Sequence, residues 1–68
     1  MQIDNVSELG KLIKDTRKSQ GLTQADLAIS ANVGVRFIVD LENGKKTAQI
    51  GKIFQVCQML GLEIDIKG

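Results

Sequence analysis

The stretch "VGVRFIVDL", residues 33–41, admits two readings, and the choice between them decides the fold. Val33, Val35, Phe37, Val39 and Leu41 alternate with Gly34, Arg36, Ile38 and Asp40. That is the period of a half-buried strand, in β-branched and aromatic residues that favour one. An Asn43-Gly44 pair follows, a strong hairpin signal. Wound as a helix, with successive residues about 100° apart, the same stretch puts Gly34, Phe37, Ile38 and Leu41 in one apolar stripe. Val35, Arg36, Val39, Asp40 and Asn43 then face the other way, and Asn43-Gly44 becomes a helix C-cap. A hairpin needs a second alternating run after Gly44, and Lys45-Lys46-Thr47-Ala48-Gln49 does not supply one. The stretch reads as a helix.

Helical signals surround it. Ser7 is the expected N-cap of a first helix carrying Leu9, Leu12, Ile13 and Thr16 at helical spacing, with Gly21 as its stop and Gly10 as a slight weakness. Thr23-Gln24-Ala25-Asp26 is a capping box with Asp in the Glu position, opening a second helix to about Ser30. Ala31-Asn32 makes the turn to the third. Two short helices joined in this way form a helix-turn-helix. Such a unit needs a small residue midway along its first helix, supplied by Ala28, and a residue tolerating positive φ in the turn, supplied by Asn32. Ile38 is the apolar residue of the second helix that faces the first.

The last helix begins after Thr47, carries Ile50, Ile53, Phe54, Cys57 and Leu60 on one face and ends at Gly61. Val56 and Met59 widen its apolar arc beyond what one core needs. Residues 62–66 alternate cleanly and read as a short strand, which needs another strand to pair with. The simplest partner is a copy of itself across a two-fold axis, giving a homodimer with Val56, Met59, Leu62, Ile64 and Ile66 at the interface.

Sixty-eight residues make a single small domain, 1–68, near the lower limit for independent folding. One cysteine excludes an internal disulfide, and the absence of histidine makes a metal site improbable. No cofactor is expected. The chain is 43% hydrophobic and 25% charged, ordinary for a globular domain, with no apolar run long enough to span a membrane and no signal-peptide pattern. A reduced, cytoplasmic setting is the expectation. The net charge of +1 does not by itself announce nucleic acid. With neither His nor Tyr, and with carboxylates scattered over helix surfaces, nothing resembles an acid–base pair or an activated nucleophile, so an enzyme is not expected.

"GLTQADLA" and "ANVGVRFIVDLENGK", at their mutual spacing, resemble the phage-repressor-like helix-turn-helix domains of the XRE, or Cro/C1, type. The likeness covers about Leu9 to Leu60. Residues 33–64 further resemble the HipB-like and Y4mF-like antitoxins, small repressors encoded beside HipA-type kinase toxins. The resemblance implies an all-α, phage-repressor-like domain of four to five helices with a short C-terminal β-strand used for dimerisation. It implies an autorepressor that binds a palindromic operator in double-stranded DNA and takes a HipA-like kinase toxin as partner. Gln24, with Thr23 beside it, matches the position that contacts a phosphate and braces the recognition helix, where a helix N-terminus offers free N–H groups. Arg17 and Glu42 match a structural ion pair between the first helix and the recognition helix.

Phage repressors often read bases with glutamines; here Val35, Arg36, Val39 and Asp40 stand instead. Valine methyls can pack on a thymine methyl, Arg36 can bond guanine in bidentate fashion, and Asp40 can accept from a cytosine amine or pair with Arg36. Asn43, Lys45 and Lys46 occupy the loop that touches the DNA backbone in the family. The alternative is a protein-interaction module that neutralises a toxin and binds DNA weakly, with Val35 and Val39 contacting protein.

Overall fold

Residues 35–42 are helical. The computed structural model describes residues 5–46 and 49–63, and its elements run α1 (Val6–Ser19), α2 (Gln24–Ala31), α3 (Val35–Glu42) and α4 (Ile50–Leu60). No strand occurs among the described residues: Leu62 and Glu63 lie beyond α4 in neither helix nor strand, and Ile64 and Ile66 fall outside the described residues. In α3, Ile38 and Leu41 are buried and Phe37 packs against the core, so the helical stripe, not the alternation, decides what is covered. Gly34 is not part of that stripe. It is the extended N-cap before the helix, and its surroundings are open.

All four helices end in the same way. A left-handed residue (Gly21, Asn32, Gly44 or Gly61) reverses the chain, and the next residue's N–H returns to a carbonyl in the last turn. These bonds are Leu22 to Arg17 at 3.1 Å, Val33 to Ala28 at 3.0 Å, Lys45 to Asp40 at 3.0 Å and Leu62 to Cys57 at 2.9 Å. Leu22, Val33 and Leu62 then fold their side chains onto the core. After α3 the corresponding residue is Lys45, which reaches instead for Asp40. Asn32, at φ 57°, is the non-glycine member of the set and makes the turn between α2 and α3.

At the helix starts, Thr23 and Asp26 form the expected reciprocal cap: the Thr23 hydroxyl oxygen accepts from the Asp26 N–H, and the Asp26 carboxylate accepts from the Thr23 N–H, each at 3.0 Å. Hydrogen bonds from the Thr23 backbone and then its side chain hold the Asp26 carboxyl below its ordinary range. The first helix begins earlier than expected. Its cap is Asn5, whose side-chain oxygen accepts from the Glu8 N–H at 2.8 Å, and Ser7 lies within the first turn.

The core gathers Leu9 and Ile13 of α1, Leu27, Ala28 and Ala31 of α2, Ile38 and Leu41 of α3, and Ile53, Val56, Cys57 and Leu60 of α4. Cys57 is one of its small apolar fillers, and burial pushes its thiol up to about 11. The structure corrects the register of α4. Val56, expected at a subunit interface, is 0% exposed and belongs to this chain's own core, whereas Ile50 and Phe54 stand at the rim, roughly half exposed. Met59 remains on the outside at 48% exposure, and Leu62 packs partly against its own domain.

Two features bring α1 and α3 together. Gly10 is buried directly beneath the C-terminal end of α3; a Cβ there would collide with the Leu41 carbonyl oxygen and lie 3.0 Å from that of Glu42. Two turns further along, the Arg17 guanidinium meets the Glu42 carboxylate in a buried two-point contact, Nε to Oε2 at 2.7 Å and Nη2 to Oε1 at 3.0 Å. Its Nη1 donates to the Leu22 carbonyl at 2.7 Å. No buried side-chain N or O among the described residues lacks a partner.

Gly10 yields a test whose sign is informative. Gly→Ala within a helix ordinarily stabilises by about 1 kcal/mol. Gly10→Ala is expected instead to destabilise by about 1–3 kcal/mol, because α3 must retreat from the added methyl. Urea unfolding of the two proteins measures the difference, and a more stable variant contradicts the close approach.

Candidate nucleic-acid interface

With Ile38 and Leu41 turned inward, α3 presents Val35, Arg36, Val39 and Asp40 to the outside. Val35 is 49% exposed and the Arg36 side chain 84%, while Val39 and Asp40 are partly covered. The residues fall at i, i+1, i+4 and i+5, so two valines lie beside an Arg–Asp pair on one side of the helix. Methyl groups next to a guanidinium are what the edges of thymine and guanine call for in a major groove. Asp40 is already engaged within the chain: Arg36 Nε lies 3.4 Å from Oδ1, and Lys45 Nζ lies 3.7 Å from Oδ2.

The helix-turn-helix rests on the expected residues. Ala28 is small and buried, Ile38 is fully covered, and Asn32 supplies the left-handed turn. Gln24 opens α2, and its side-chain amide donates to Glu42 Oε1 at 3.2 Å. The buried carboxylate therefore binds three elements at once: α1 through Arg17, α2 through Gln24, and its own helix α3. The expected Arg17–Glu42 pair is present, and it is buried on both sides. Thr23 sits beside Gln24 with its hydroxyl committed to the cap. Asn43, Lys45 and Lys46 are exposed in the turn just past α3.

Lys52 is a residue that the sequence reading did not single out. Its ammonium lies 5.8 Å from the centre of the Phe37 ring, within cation–π range. It thereby joins Lys45 and Lys46 along a groove of about 350 Å³ that Phe37 and Leu41 also line. Fifteen residues separate Phe37 from Lys52 in sequence, so no local periodicity links them. The partnership of Gln24 with Glu42 is equally non-local. Among the described residues, no group of His, Cys, Asp and Glu could hold a metal ion, and no helix is long and apolar enough to cross a membrane.

Comparison with known proteins agrees with this geometry. The profile of the family described as "Helix-turn-helix" matches residues 13–67. The chain is 55% identical over 65 residues to the uncharacterized HTH-type transcriptional regulator y4mF of Sinorhizobium fredii, spanning 96% of this chain and 86% of that protein. It is 35% identical over 57 residues to endothelial differentiation-related factor 1 of Homo sapiens, covering 84% of this chain and 38% of that longer protein. Among solved structures, the restriction-modification controller protein C.AhdI of Aeromonas hydrophila superposes with a TM-score of 0.75 at 21% identity, over 85% of this chain and 84% of that one. A variant of the controller protein C.Esp1396I does so with a TM-score of 0.77 at 27% identity, over 93% and 80% respectively. The chain belongs to the XRE-type helix-turn-helix family of transcriptional regulators.

Proposed function

We propose that this chain is a cytoplasmic, sequence-specific DNA-binding repressor in which α3 enters the major groove and α2 stands over the phosphate backbone. The observation that carries the reading is the outward side of α3. Two valines flank an exposed arginine on a helix whose last residue is tied through buried charges to α1 and α2. A helix held this firmly presents its side chains in one orientation, as base reading requires. Gln24, next to Thr23, supplies a polar side chain and free N–H groups at the start of α2, suited to a phosphate. Asn43, Lys45 and Lys46 extend the backbone contact past the end of α3.

The repressor acts as a homodimer, since a two-fold axis can set two recognition helices about 34 Å apart to read a palindrome. With Val56 in the core, Met59 is the described residue of α4 that remains from the expected interface, and the half-exposed Ile50 and Phe54 add apolar surface. The finer reading, an antitoxin that represses its own operon and binds a HipA-like kinase toxin, rests on resemblance to HipB-like proteins. The alternative of a protein-interaction module with weak DNA binding draws on one observation, that Asp40 offsets both Arg36 and Lys45.

Two substitutions separate base reading from backbone contact. Arg36→Ala should cost about 1–3 kcal/mol on the preferred duplex and relax specificity at one position. Lys45→Ala with Lys46→Ala should weaken binding to every duplex alike and lower the salt slope by about one per charge lost. Equal losses on preferred and random DNA for Arg36→Ala would make it a phosphate contact, and failure of the unaltered chain to bind any duplex would favour the interaction module.

Assembly is tested by sedimentation of the chain alone and co-expressed with the product of the adjacent gene. The expected masses are those of a dimer and of a dimer carrying the kinase. A monomer overturns the two-fold reading, and a dimer that captures no neighbouring product leaves a repressor without the antitoxin role.

A further inference from the structure

Asp40 is a carboxylate on a surface read here as facing DNA. In residues 35–46 the acidic side chains are Asp40 and Glu42. Glu42 is buried against Arg17 and Gln24, so Asp40 is the one that reaches the outward side, with its side chain 30% exposed. Its two oxygens are divided between two cations. Oδ1 faces Arg36 Nε at 3.4 Å and Oδ2 faces Lys45 Nζ at 3.7 Å.

This arrangement does little for the helix. Arg36 lies in the first turn of α3 and Asp40 in the last, so each charge sits at the end of the helix dipole that disfavours it. Base before acid is also the weaker order for an i,i+4 pair. Exposed pairs of this kind contribute little stability.

The geometry matters more for Arg36. Asp40 engages it through Nε, which leaves Nη1 and Nη2 as a free fork, and that fork matches the O6 and N7 acceptors of guanine. A phosphate on Arg36 is a different case, because it brings a second negative charge beside the Asp40 carboxylate. The neutral edge of guanine carries no such repulsion. One carboxylate thus favours a base contact over a backbone contact at Arg36.

We propose that Asp40 is a positioning and specificity-determining residue: it holds Arg36 by Nε for a guanine edge and withholds it from phosphates. The inference rests on the DNA-binding reading above, and the experiment separates the two. The full chain, Asp40→Asn and Asp40→Glu are each titrated, over a salt series, with poly(dA-dT) and with a duplex that the unaltered chain has selected from a randomised library. Asp40→Asn should bind poly(dA-dT), which lacks that pair of acceptors, several-fold more tightly at low salt, with a salt slope steeper by about one. Its preference for the selected duplex should fall by about tenfold, within the range that a single base contact supports. Asp40→Glu, which keeps the charge, should retain the slope of the unaltered chain.

An Asn variant that loses affinity equally on both duplexes, with the slope unchanged, would make Asp40 a residue of the fold. A loss confined to the selected duplex at unchanged slope would make it a direct reader of a cytosine amine. Either result overturns the inference alone. An unaltered chain that selects no duplex overturns the DNA-binding reading and this inference with it.

Discussion

Two opposite charges buried together set the geometry of this domain. Removing Arg17 and Glu42 from water costs several kcal/mol per ion, and their attraction offsets that only when the surrounding hydrogen bonds are also made. Here they are: the guanidinium meets both carboxylate oxygens and the Leu22 carbonyl, and Gln24 adds a further donor to the carboxylate. An apolar pair of similar volume could match such a network in stability. What it could not match is direction. A planar guanidinium fork accepts a carboxylate in few orientations, so the last residue of α3 is fixed relative to α1 and to the start of α2.

The rest of the design serves the same end. Gly10 removes the side chain that would push α3 away from α1, bringing the helices close enough for the ion pair to form. The repeated helix terminus, a left-handed residue followed by a side chain folded onto the core, closes α1, α2 and α4 against the domain. Only after α3 does that side chain turn outward, as Lys45. The exception falls beside the surface assigned to DNA, where a cation is of more use than another apolar contact.

Much of this was legible in the sequence, wherever the signal was local. The Thr23–Asp26 capping box, the left-handed Asn32 and the choice of helix over strand at residues 35–42 all rest on neighbours within a few positions. The N-terminus of α1 was misplaced at Ser7, although Asn5-Val6-Ser7-Glu8 has the capping spacing with an acid at its third helical position, a signal that Ser7 followed by Gly10 lacks. In α4 two registers satisfy the same spacing: Ile50, Ile53, Phe54 and Cys57, or Ile53, Val56, Cys57 and Leu60. Packing against α1 and α2 decides for the second, which takes Val56 into the core. Gly10 looked like a weakness because sequence shows its helix propensity and not the carbonyl above it. The pairing of Gln24 with Glu42 and the placement of Lys52 over Phe37 depend on tertiary contact, and no periodicity encodes them.

The central claim is that the outward side of α3, held by the Arg17–Glu42 pair, is the surface that meets DNA. Backbone amide resonances followed by NMR during titration with a selected duplex test it most directly. The account predicts that the amides of Gln24, Val35, Arg36, Val39, Lys45 and Lys46 shift most, while those around Ile13 and Leu27 in the core stay nearly unchanged. Shifts confined to the exposed rim of α4, at Ile50, Phe54 and Met59, with α3 unmoved, would contradict it.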